Sequence, residues 1–186
     1  MRAILIAAMI SLAAGLTSGA RAQDISALER PGIVALMRHA LAPGTGDPAG
    51  FDLADCSTQR NLDERGREQA RRIGRAMRAD GVHFDAIWSS EWCRARETAE
   101  LLGFDEVVEE PALNSFFAGR GDRAAQTVEI LKLIEAQPTD SRLLLVSHQV
   151  NISALTGSFA GSGEIIVTRR ADGGGLEVID RIAIAP

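Results

Sequence analysis

Two short runs in the chain are apolar throughout, Gly32-Ile33-Val34-Ala35-Leu36-Met37 and Leu143-Leu144-Leu145-Val146. A strand without polar alternation must be covered on both faces, which is the condition of a parallel sheet between helical layers. Asp85–Ser89 reads as a third strand, with an apolar centre, and Glu106-Val107-Val108 as a brief fourth. The segments between them carry helical spacing. Ala70, Ile73, Gly74 and Met77 follow a candidate N-cap at Asp63 and stop at Gly81. Glu91–Leu102 ends at Gly103, Asp122 opens a helix to about Ala136, and Asn151–Thr156 is a short one. Residues 164–170 and 176–184 flank Ala171-Asp172-Gly173-Gly174-Gly175 as a hairpin. The expected fold class is α/β: a three-layer α/β/α sandwich, its sheet mostly parallel with an antiparallel C-terminal edge.

The N-terminus stands apart from this pattern. A short positive start, an apolar run from Ala3 to Leu16 and the small-x-small triplet Ala20-Arg21-Ala22 have the form of a secretory signal peptide. The run is too short to span a bilayer comfortably. Residues 1–22 are therefore expected to be removed, leaving 23–186 as a single domain with no stable membrane insertion. The expected location is periplasmic or otherwise exported. A domain of this length buries a core large enough to fold without a metal or a disulfide. The net charge of −5 excludes a nucleic-acid binder held by bulk charge. Cys and His residues with zinc-binding spacing are absent, so no metal site is expected.

Function is signalled where the strands stop. The run ending at Met37 leads into Arg38-His39, the strand at Asp85–Ser89 into Ser90 and on to Arg94, and the run ending at Val146 into Ser147-His148. Ligands of open α/β sheets bind beyond the carboxyl ends of the strands. Two arginines and two of the three histidines thus converge on one sheet edge. Arginine forks onto phosphoryl oxygens, and histidine serves as nucleophile or acid–base group. The combination points to phosphoryl chemistry.

Four segments resemble the histidine phosphatase superfamily, whose fold is that of phosphoglycerate mutase. Leu36-Met37-Arg38-His39-Ala40 resembles its Arg-His-Gly signature, and Leu62–Ala70 its following L-[ST]-x-x-G-x-x-Q-A helix. Ser89–Ala99 resembles its S-S-x-x-x-R-A-x-x-T-A segment, and Val146-Ser147-His148 the strand ending in the second catalytic histidine. Size places the chain nearer the small phosphatase and mutase branch than the large acid phosphatases. The resemblance implies that His39 attacks phosphorus and is transiently phosphorylated. Arg38, Arg94 and His148 would cradle the phosphoryl oxygens, and water would hydrolyse the intermediate. No cofactor is implied. The substrate would be a phosphorylated small molecule or envelope glycan, lipopolysaccharide phosphate among the candidates by resemblance.

Departures from the family pattern bear on the acid. Ala40 replaces the usual Gly, and Thr45 stands where the mutase branch has Asn, as a candidate phosphate donor. The mutase-type acid would follow Leu113-Asn114, where the chain has Ser115, and the acid-phosphatase Asp after the second histidine is Gln149. Glu110 is the tentative substitute. Glu109, Asp47 and Asp52 are further possibilities, and so is the lack of any dedicated acid. Without one, substrates with good leaving groups, such as phosphohistidines, acyl phosphates or phosphoanhydrides, are favoured. A phosphate-binding module without turnover is the alternative from another class.

The two cysteines cannot serve a thiol phosphatase, because the sixth residue after Cys56 is Leu62 and after Cys93 is Ala99, where arginine would be needed. An oxidising compartment suggests a Cys56–Cys93 disulfide near the catalytic rim, with two free thiols as the alternative. Its nominal contribution is about 3–4 kcal/mol. The remaining readings are plain ones. His83 is a surface residue, and Trp88 and Phe104 are core. Phe116-Phe117 is either core or pocket wall. The arginines Arg65, Arg67, Arg71, Arg72, Arg75 and Arg78 form a solvated helix face.

Overall fold

The computed structural model describes residues 25–184. The leader assigned above to residues 1–22 lies outside them. A 3-10 turn at Ser26–Glu29 precedes β1 (Ile33–Arg38), α1 (Glu64–Ala79), β2 (Ala86–Ser89), α2 (Cys93–Leu101) and β3 (Val107–Glu109). After these come α3 (Arg123–Glu135), β4 (Leu143–Ser147), α4 (Gln149–Thr156), β5 (Ile165–Arg170) and β6 (Leu176–Ile182).

One six-stranded sheet has the order β3-β2-β4-β1-β5-β6. The pairs β2–β3, β2–β4 and β1–β4 are parallel, and β1–β5 and β5–β6 are antiparallel. The mostly parallel sheet with an antiparallel C-terminal edge is as expected. β1 and β4 are buried along nearly their whole length because each lies inside the sheet and is covered on both faces. Their side chains alternate between two cores. Ile33, Ala35, Met37, Leu144 and Val146 pack with Ile73 and Met77 of α1 and Ala95 and Ala99 of α2. Val34, Leu36, Leu143 and Leu145 pack with Ile130 and Ile134 of α3 and Ile152 of α4. Helices α1 and α2 therefore cover one face and α3 and α4 the other.

Local chemistry sets the helix ends. The Asp63 and Asp122 carboxylates accept from the backbone N–H groups of Gly66 and Ala125, capping α1 and α3. α2 begins at Cys93, two residues later than the sequence suggests, because the Trp92 amide donates to the Ser90 hydroxyl and holds the preceding turn out of the helix. α4 begins at Gln149, with His148 in the capping position. Trp88 is half-buried against the second core, a partial departure from the core reading. The arginines of α1 pair with acids: Arg71 with Glu64, Arg75 with Glu68 and Arg67 with Glu97.

Gly74 fixes how closely α1 approaches the end of α2. A Cβ at this position would fall inside the backbone of Leu102. Alanine ordinarily favours a helix over glycine by about 0.5–1 kcal/mol. Here overpacking decides the sign, so Gly74→Ala is expected to destabilise the chain by about 1–3 kcal/mol. Gly50→Ala, where an added Cβ meets nothing, is expected to stay within about 0.5 kcal/mol of the parent. Urea denaturation midpoints of the two variants provide the comparison.

Candidate active site

Arg38 closes β1 and His39 follows it; Ser147 closes β4 and His148 follows it. The two strands pair in parallel with Arg38 opposite Ser147, and the His39 amide continues the ladder by donating to the Ser147 carbonyl at 3.0 Å. Strand pairing thus carries the two histidines to adjacent positions, their ring centroids 5.5 Å apart. β2 ends beside β4, and the Ser90 amide donates to the Val146 carbonyl. The first turn of α2 then brings in Arg94. One cavity is lined by Arg38, His39, Arg94 and His148 together with Thr45. The structure brings these five sequence-derived candidates together.

His39 is held in one tautomer. Its Nδ1 lies 2.7 Å from the Ala40 carbonyl oxygen, which can only accept, so Nδ1 carries the proton. Arg94 Nε, which can only donate, lies 3.3 Å from His39 Nε2. Nε2 therefore carries the lone pair. The backbone is fixed as well, because the Ala40 amide donates to Thr98 Oγ1, which donates in turn to the Arg94 carbonyl. Burial, followed by the charge of Arg94, pushes the His39 imidazole well below its ordinary pKa. His148 is pushed the same way, by burial first and then by Arg94.

The Arg94 side chain is only 3% exposed, and its partner is the Asp47 side chain, 5% exposed. Nη1 donates to Asp47 Oδ1 at 2.7 Å and Nη2 to Oδ2 at 3.3 Å. Trp92 Nε1 and the Arg60 amide each add a donor to that carboxylate at 3.2 Å. Burial alone would raise the Asp47 carboxyl, but the hydrogen bond and charge of Arg94 outweigh it and hold the group below the usual carboxylate range. Arg60 also lines the cavity. Its side chain donates to the carbonyls of Gly46, at 2.8 Å, and Ala42, at 2.5 Å, fastening the loop that carries Asp47.

The other walls are polar and anchored. Arg38 donates through Nη1 to the Ala160 carbonyl, while its buried Nε has no acceptor among the described residues. The Ser90 hydroxyl lies 2.9 Å from His148 Nε2 and 3.1 Å from the Asn114 carboxamide oxygen, tying the second histidine to the segment after β3. Phe117 forms part of the cavity wall and is half-exposed; Phe116 does not line it. Among the described residues, no group of three His, Cys, Asp or Glu side chains is arranged to hold a metal.

Glu110 is not brought into the cavity. Its carboxylate caps the 3-10 turn Pro111–Leu113 by accepting from the Ala112 amide, and this corrects its assignment as the tentative acid. Glu109 is committed elsewhere, to an exposed ion pair with Arg96, and Asp52 does not line the cavity. Ser115 and Gln149, which stand where family acids would be, both line it. Asp47 is the carboxylate that does. Cys56 and Cys93 form a disulfide, as the compartment argument expected, bridging a sequence separation of 37 from the long loop to the first residue of α2. Gln59 reinforces the same junction by accepting from the Cys93 amide. Arg60 was not singled out in the sequence; its position just before the Leu62–Ala70 segment was the available signal.

Residues 34–121 match the family model of the histidine phosphatase superfamily, branch 1. The chain is 31% identical over 115 residues to an uncharacterized protein of Picosynechococcus sp., covering 62% of this chain and 65% of that one. It is 30% identical over 77 residues to a broad-specificity phosphatase of Saccharomyces cerevisiae, covering 41% and 33%. The chain thus spans less than two thirds of the length of either relative. Among solved structures, the fold is similar to the protein histidine phosphatase SixA complexed with tungstate, with a TM-score of 0.61, 18% identity, and coverage of 81% of this chain and 96% of that one. It is also similar to phosphoserine phosphatase of Entamoeba histolytica in complex with 3-phosphoglyceric acid, with a TM-score of 0.59, 16% identity, and coverage of 82% and 97%. The strand-end histidines and arginines, the sheet that carries them and the match over residues 34–121 agree in their likeness to the histidine phosphatase superfamily.

Proposed function

We propose that this chain is an exported phosphatase that moves a phosphoryl group from its substrate to His39 Nε2 and then to water. One observation carries the reading: the Ala40 carbonyl and Arg94 fix His39 as the Nδ1-protonated tautomer, with the Nε2 lone pair facing a cavity of cations. A nucleophile must be unprotonated at the attacking atom, and burial beside Arg94 favours that form. In this reading Arg38, Arg94, His148 and Thr45 receive the phosphoryl oxygens, with Arg60 adding charge. Catalysis would rest on positioning and on charge placed where the phosphoryl oxygens develop it. The Saccharomyces cerevisiae relative is a broad-specificity phosphatase, which supports the reaction class. The domain spans residues 23–186. Export is supported by the form of the leader sequence and by the Cys56–Cys93 disulfide.

The lining of the cavity narrows the substrate. Its carboxylate, Asp47, is ionised and surrounded by donors, and Glu110 is occupied as a cap. Among the described residues no carboxyl group is poised to protonate a leaving oxygen, which favours phosphohistidine, acyl phosphate, phosphoanhydride or aryl phosphate over alkyl phosphate. Among envelope phosphates, including those of lipopolysaccharide, this ranks a pyrophosphoryl group above a simple sugar monophosphate.

Phosphate release by the mature chain, measured beside His39→Ala, tests both parts. Release that disappears with His39→Ala is expected, with an aryl phosphate outpacing a sugar phosphate by about 10²–10⁴, the usual contribution of the missing acid. Equal rates on the two substrates would show that an acid operates. Phosphate binding without release from any substrate would identify a binding module instead.

Neutral buried histidines also have a thermodynamic signature. His39 and His148 are depressed in the folded state and take up protons near pH 6.5 once unfolded. Their stabilisation is therefore complete above that pH and is lost as pH falls below it. The slope for the pair is at most about 2.7 kcal/mol per pH unit. Denaturant midpoints between about pH 7.5 and 5.5 should fall more steeply for the parent than for His39→Ala; identical slopes would contradict a neutral His39.

A further inference from the structure

We propose that Asp47 is a positioning residue: it holds one edge of the Arg94 guanidinium so that the other edge faces the reacting phosphorus. The inference rests on the phosphoryl-transfer reading of the same cavity. A guanidinium offers two bidentate edges, the Nη1/Nη2 end and the Nε/Nη2 side. Asp47 takes the end, with Oδ1 on Nη1 and Oδ2 on Nη2. Arg94 Nε points at His39 Nε2, so the side edge faces the nucleophile. A phosphoryl group bonding to Nε2 would take over that side from the Arg94–His39 hydrogen bond and need not displace Asp47. The two anions occupy different edges of one cation.

Asp47 is itself over-determined, which a positioning group requires. Trp92 Nε1 and the Arg60 amide hold its oxygens, and the Arg60 side chain clamps the carbonyls of Ala42 and Gly46 in the loop that leads to it. The Arg60 carbonyl also accepts from Arg94 Nη1 at 3.2 Å, so loop and guanidinium are fastened at both ends. A carboxylate with four donors aimed at it is not placed to give up a proton. Asp47 is thereby separated from the role of acid that its place in the cavity would otherwise suggest.

The test turns on a sign. Removing a negative charge from a phosphate cavity should tighten anion binding if charge alone matters. The positioning role predicts the opposite. Inorganic phosphate binding by calorimetry and hydrolysis of p-nitrophenyl phosphate would be measured on the mature, disulfide-bonded chain. The variants are Asp47→Asn, Asp47→Glu, Arg94→Ala and the double variant Asp47→Asn/Arg94→Ala, with thermal unfolding as the check on folding. Asp47→Asn is expected to weaken phosphate binding by about tenfold and to lower kcat by about 100-fold, the scale of an ångström-level misplacement. Asp47→Glu, which keeps the charge and the pair, should recover part of both and carries the test if the Asn variant does not fold. In the Arg94→Ala background, Asp47→Asn should change neither quantity, because its effect passes through Arg94. Tighter phosphate binding by Asp47→Asn, or an undiminished effect in the Arg94→Ala background, would overturn the proposal. A parent chain that binds phosphate but releases none would sink the phosphatase reading and leave the binding comparison to decide this one. A parent that binds no phosphate would end both.

Discussion

A guanidinium that is almost wholly buried needs an anion, and the construction of this cavity follows from that need. Removing one partner from a buried pair typically costs about 3–5 kcal/mol, because the remaining charge is left in low dielectric. Asp47 supplies the anion for Arg94 from the long connection after β1, at a position outside any helix or strand. The loop must therefore be held. It is fastened by the Arg60 side chain, by the stacking of Phe51 on Trp92 at 5.0 Å between ring centroids, and by the Cys56–Cys93 bond to α2. The long connection after β1 is thereby made a fixed wall.

The same burial separates the behaviour of the cavity's charges. Three arginines surround two imidazoles, and the imidazoles respond by staying neutral. Asp47 responds by staying ionised. The cavity thus presents positive charge, an unprotonated nitrogen and no acidic proton. These are the requirements for accepting a phosphoryl group and, in the reading proposed above, the reason its leaving group must depart unaided. Of the side chains that might have donated a proton, Glu110 lies outside the cavity because capping the turn at Pro111 is its local use.

The sheet, its helical cover and the convergence of Arg38, His39, Arg94 and His148 were legible in the sequence because each is set by local pattern. An unbroken apolar run gives a buried strand, and the residue after such a strand lies at the sheet's carboxyl edge. The Cys56–Cys93 pairing followed from compartment and count. Arg60 and the partner of Arg94 were not legible. Both belong to a loop whose shape comes from tertiary hydrogen bonds to the Ala42 and Gly46 carbonyls, and no periodicity encodes those. Glu110 failed as a candidate for a related reason: its sequence position is near the expected acid, but its side chain is claimed by the nearest free amide.

The parallel register of β1 and β4 has a consequence for how such a chain can change length. His39 and His148 owe their spacing to two strands paired residue for residue, with Arg38 opposite Ser147. Displacing either strand by one residue would move its histidine by about 3.3 Å and turn its side chains toward the wrong core. An inserted or deleted residue inside either strand is therefore intolerable. The hairpin tip at residues 172–175 does not line the cavity of His39 and His148, so a change in its length leaves that cavity's lining intact. The spacing of the two histidines is thus protected against drift in chain length at the two places where it is made, while the far edge of the sheet can lengthen or shorten without reaching it.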